Sequence, residues 1–171
     1  MEFKETDLEH SLTHSYKDGM IDFLCKNPQC FEEAIALSIS NKQPYAWRAA
    51  WLLWSCIETN DSRVIKHIDT MISSISGKED GHQRELIKIL YEMELNDDQE
   101  GTLFDICSKL WSTINKKPSV RFTAFKFLVK AATKYPDLKN ELRVLTQTHY
   151  LESLSPGVKK SINKMLWKAE I

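Results

Sequence analysis

The sequence predicts an all-α protein, an α-α superhelix (solenoid) of about four helical hairpins stacked one on the next. Three observations predict it. Apolar residues recur at helical spacing through almost the whole chain, prolines stand at the starts of those stretches, and a basic residue followed by apolar ones returns about every 37 residues. The 171 residues are expected to form one helical-repeat domain, with an N-terminal capping segment over 1–27 and repeats over 28–168.

Taken in order, the chain opens with a turn or helix over 7–16, followed by helices over 18–26, 28–40, 44–58, 61–75, 81–94, 98–114, 118–135, 136–149 and 156–168. Pro28, Pro44, Pro118, Pro136 and Pro156 mark five helix starts, where the missing proline N–H is unpaired in any helix. Asn27 and Ser155 precede prolines as N-caps, and Asn60 or Asp61 caps the helix over 61–75. Within 44–58, Trp47, Trp51 and Trp54 recur at i, i+4, i+7 and are expected to pack in the core; a ligand-binding aromatic strip is the alternative. Within 118–135, Phe122, Phe125, Leu128, Val129 and Ala132 share one face, and Lys126, Lys130 and Lys134 form a stripe on the other. Lys160, Lys164 and Lys168 make a second row at i, i+4, i+8. No stretch reads as a strand.

The repeat is carried by Trp47-Arg48-Ala49-Ala50, Gln83-Arg84-Glu85-Leu86, Val120-Arg121-Phe122-Thr123-Ala124 and Val158-Lys159-Lys160-Ser161. Their basic residues are 36, 37 and 38 apart in turn. One hairpin cannot cover its own apolar stripe, so it stacks on a neighbour and at least three copies are needed. Arg48, Arg84 and Arg121 are expected to pair with an acidic or carbonyl group of the neighbouring repeat. The pattern resembles HEAT/armadillo repeats, whose second helix often opens with a hydrophobic residue and an Arg before small and large apolar residues. The first and third copies match best; Glu85 and Lys160 depart from it. The resemblance covers about residues 28 to 168 and implies a scaffold that binds a protein or peptide along its helices.

Composition limits the chemistry. Five glycines leave little room for a phosphate-cradling loop, and no run approaches the ~20 apolar residues of a membrane span. The acidic start, without a secretory h-region, and Cys25, Cys30, Cys56 and Cys107 within or beside apolar helical runs suggest a reduced protein of the cytoplasm; a monomer and no cofactor are expected besides. The Asn60-Asp61-Ser62 sequon would then be idle.

No catalytic motif stands out. His10 and His14 have the i, i+4 spacing of a metal pair, but no Glu or Cys completes a familiar signature, and Cys25-x4-Cys30 lacks a second pair, so no metal is expected. Glu92, Glu94, Asp97, Asp98 and Glu100 surround a turn and read as helix-capping surface charge. His67, His82 and His149 are isolated potential bases with no nucleophile in a recognisable motif.

Charge is the least ordinary feature. Residues 1–104 hold 10 Lys/Arg and 19 Asp/Glu, whereas 105–171 hold 13 and 5. Lys126, Lys130, Lys134, Lys160, Lys164 and Lys168 are therefore the candidate partner-binding residues, for an acidic protein surface or for phosphates. Some DNA-alkylation-repair glycosylases are built of similar repeats with a basic, aromatic-lined cleft, which makes nucleic acid the alternative partner. Short helical proteins of this kind also resemble those labelled adenylosuccinate lyase. That superfamily uses a Gly-Ser-Ser-rich loop that this sequence lacks, so lyase activity is not expected.

Overall fold

A computed structural model describes residues 4–171, and among them there are helices and turns but no strand. The chain divides into two compact units, one running to Glu94 and the other from Leu95 to Ile171.

The first unit begins with α1 (Asp7–His14) and α2 (Lys17–Lys26). Thr6 caps α1 through a reciprocal pair of bonds: its hydroxyl accepts the Glu9 N–H, and the Glu9 carboxylate accepts the Thr6 N–H. A short 3₁₀ turn, Pro28–Cys30, leads into α3 (Phe31–Ile39), and α4 (Tyr45–Cys56) returns against it. Next come α5 (Ser62–Ile65), α6 (Ile68–Ser74) and α7 (Asp80–Tyr91). α4 is the hub, packing against α1, α2, α3 and α7. Its inward positions are correspondingly small or medium: Ala46, Ala49, Ala50, Leu52 and Leu53 are buried, because four neighbours approach too closely for larger side chains.

In the second unit α8 (Asp97–Ser112) pairs with α9 (Pro118–Lys134), and α9 also meets α10 (Lys139–Val144) and α12 (Pro156–Lys168). A single turn, α11 (Thr148–Leu151), lies between α10 and α12. Val120, Ala124, Phe125, Phe127, Leu128 and Ala132 line the buried face of α9.

The expected helices over 118–135 and 156–168 appear with boundaries within a residue, but two others are broken. The stretch 61–75 is interrupted after Ile65, where Lys66 and His67 both turn to Glu32 of α3, at 2.7 and 3.0 Å. The stretch 136–149 is interrupted after Val144. There the Leu145 carbonyl accepts the buried Trp111 indole N–H at 2.7 Å, and this tertiary bond replaces helical pairing.

The caps differ too. Ser155 and Asp61 accept backbone N–H groups as expected. Asn27 does not cap forwards; its amide turns back and donates to the Phe23 carbonyl, closing the end of α2. Asn60 adopts a left-handed conformation, φ 53°, and its side chain accepts from the Glu94 N–H.

Candidate functional site

The tryptophans expected in the core lie at the surface. With the buried face of α4 given over to small residues, Trp47 is 45% exposed, Trp54 is also exposed and Trp51 is half-buried. Trp54 is covered by the Lys88 ammonium, 3.2 Å from the ring centre. Trp47 and Trp51, one helical turn apart, form one wall of a cleft of about 500 Å³.

The opposite wall is the link between α1 and α2. Ser15 and Tyr16 both have extended backbones, so one helix stops and the next starts within two residues. Tyr16 is thereby thrust outward and is 93% exposed. Met20 lines the cleft as a nearly buried apolar residue, and His14, Lys17 and Arg48 also line it. Among the described residues no carboxylate does. Arg48 is anchored by donating to the Leu12 carbonyl at 2.6 Å, with its guanidinium carbon 5.8 Å from the Trp47 ring centre.

The repeated basic position therefore has several roles. Arg48 bonds the Leu12 carbonyl on α1, ahead of the expected repeats, and Arg121 bonds the carbonyl of Trp111 on α8, the helix paired with its own, and that of Tyr150 in the following segment, so only the last is the expected tie to a neighbouring repeat. Arg84 differs. It pairs with Glu85, the adjacent residue, whose buried carboxylate also takes Lys88 at 2.7 Å. Burying that acid on α7 requires cations close by, and Arg84 supplies one.

The candidate lysines all lie in the second unit and are exposed. Lys134 pairs with Glu100 at 2.7 Å, which holds its ammonium above the ordinary lysine range. Lys126 lies 5.0 Å from the Phe122 ring centre. Lys160, Lys164 and Lys168 run along α12, where Trp167 is 79% exposed.

Of the other candidates, Asp97, Asp98 and Glu100 occupy the first turn of α8 beside an Asn96–Gln99 capping box, consistent with a capping role. His67 contacts Glu32, the His149 ring meets that of Tyr150 at a tilt of 43°, and His82 is buried between the Ser38 carbonyl and the Gln43 amide. Cys107 is buried, whereas Cys25 is exposed. Burial, with Cys25 as a neighbour, pushes the Cys56 thiol up to about 11, so neither the pH nor the surroundings favour a reactive thiolate there.

His10 and His14 stack with ring centres 4.1 Å apart, and Glu5 joins them, with Oε2 at 3.4 Å from His10 Nδ1. Spacing rules overlooked Glu5 because it precedes the cap of α1, where helical periodicity does not apply. The capped turn at Thr6 brings it back over the helix.

A family model described as HEAT repeat domain matches residues 4–169. No curated protein and no solved structure matches the chain. Among the described residues no helix is long and apolar enough to cross a membrane.

Proposed function

We propose that this chain, which belongs to the HEAT repeat domain family, is a binding module that holds an acidic protein or peptide segment in the cleft between Tyr16 and Trp47. The observation that carries the reading is a cleft walled by exposed aromatics and lined by Lys17 and Arg48, with no carboxylate among the described residues that line it. Aromatic and arginine side chains dominate binding energy at protein interfaces, since they offer large apolar area with little conformational entropy to lose. The surrounding unit is acidic, with 10 Lys/Arg against 16 Asp/Glu up to Glu94. An acidic partner would be repelled over most of that surface and attracted at the cleft. The fitting occupant is a segment with an apolar anchor flanked by Asp or Glu.

Selection of displayed random peptides on the full chain, followed by fluorescence anisotropy of those recovered, tests the proposal. Recovered peptides should carry an aromatic or aliphatic anchor beside acids, and Y16A and W47A should each weaken them by about tenfold or more. Peptides without acidic bias, or binding indifferent to W47A, would remove the cleft as the site.

A second reading is favoured by Trp167, exposed on the same helix as Lys160, Lys164 and Lys168. If Lys126, Lys130 and Lys134 on α9 lie beside them, the lysines would take an acidic protein surface or nucleic-acid phosphates, an indole being a stacking platform for a base. Reversing the α12 lysines to Glu should abolish salt-sensitive binding to DNA. A weak response that is flat in salt discards this reading. The module is taken to act as a cytoplasmic monomer, and light scattering checks the oligomeric state.

A further inference from the structure

Glu5, His10 and His14 each offer one ligand atom, and the three atoms lie within 4.8 Å of one another. We propose that these residues form a binding site for a divalent transition metal of the zinc class.

The donor set is two imidazole nitrogens and a carboxylate oxygen, a combination zinc accepts while keeping a further position for water or an incoming donor. The histidines are one helical turn apart on α1, and their rings are inclined by only 13°. The third ligand is supplied by the capped turn, because Thr6 and Glu9 fix the chain where Glu5 enters the helix.

Surrounding groups orient these donors. The Glu5 Oε1 atom accepts hydrogen bonds from the Tyr45 hydroxyl at 2.9 Å and the Thr13 hydroxyl at 3.2 Å, leaving Oε2 on the His10 side. His14 Nδ1 lies 3.2 Å from the His10 carbonyl and 2.9 Å from the Thr13 hydroxyl. A ring nitrogen facing a carbonyl oxygen carries the hydrogen, so the lone pair of neutral His14 resides on Nε2 and is available to a metal. A relay from His14 through Thr13 to Glu5 thus links two of the ligands. The arrangement is independent of whether the neighbouring cleft binds a peptide, although His14 borders both.

Zinc ion alone, added to the full chain at pH 7.5 with a thiol-free reductant and a competing chromophoric chelator, measures the site. One equivalent should bind. H10A and H14A should each weaken it at least about tenfold. His10 and His14 are exposed, so the fold should persist in these variants, as checked by circular dichroism. E5Q, which keeps the shape of the side chain, should weaken zinc severalfold. C25S/C56S should leave the affinity unchanged, and the cobalt-substituted protein should show no thiolate charge-transfer band. Zinc binding no tighter in the wild type than in H10A/H14A, or cobalt spectra dominated by thiolate, would overturn the assignment.

Discussion

Arg121 Nε donates to the Trp111 backbone carbonyl at 2.9 Å while its guanidinium carbon lies 4.9 Å from the centre of the same residue's indole ring. Arg121 is 0% exposed and also reaches the Ser153 hydroxyl and the Tyr150 carbonyl. Burial pushes its pKa down, yet every acceptor it meets is neutral, so the cation is held by dipoles rather than by a carboxylate. Trp111 in turn donates its indole N–H to Leu145. Together the two side chains tie α8 and α9 to the broken segment that follows them.

Removing this tie should be costly. R121M is expected to destabilise the protein by about 2–4 kcal/mol, because buried carbonyls lose their donors. R121K should be at least as damaging, since it keeps a buried charge without the planar fork that reaches three acceptors. Urea denaturation measures both; a milder effect for R121K would contradict the geometric account.

The recurring basic residues should not be interchangeable. R48A removes the bond to Leu12 and should loosen α1 by about 1–2 kcal/mol, raising amide hydrogen exchange there. R84A acts on Glu85 within α7 and should leave exchange in α1 unchanged. Equal effects of both variants on α1 would refute the distinction.

Asp61 should govern stability in acid. The Arg63 side chain, bonded to both carboxylate oxygens, holds its pKa at about 2 against an ordinary 3.8. A depressed carboxylate stabilises the fold above its unfolded value and loses that contribution as pH falls through the folded one. Unfolding free energy should therefore drop by about 2 kcal/mol as pH is lowered from 3.8 towards 2, and this component should be absent in D61N.

His82 should govern a milder window. Burial is the main cause of its lowered pKa, and its ring nitrogens face the Ser38 carbonyl at 2.6 Å and the Gln43 amide at 3.2 Å. Below 6.5 the unfolded chain takes up a proton that the folded histidine resists, so stability is full above that pH and declines below it. Urea midpoints measured from about pH 7.5 to 5.5 should fall in the wild type and lose this component in H82Q. Identical slopes would show that another group titrates.

The helical class and the extents of several helices were legible in the amino-acid order alone. Periodicity of apolar residues, proline placement and capping are local properties, and Pro156–Lys168 follows its local signals from end to end. Helical spacing also put Trp47 and Trp51 on one side of α4, but it could not say which side is covered. Only packing decided that, because α1, α2, α3 and α7 crowd the alanine-rich face and leave the tryptophans outside. The breaks after Ile65 and Val144 and the meeting of Glu5 with His10 and His14 likewise came from tertiary structure. A carbonyl taken by a distant indole, a carboxylate shared between helices and a turn that folds back over its own helix are relations between segments, and no local periodicity records them.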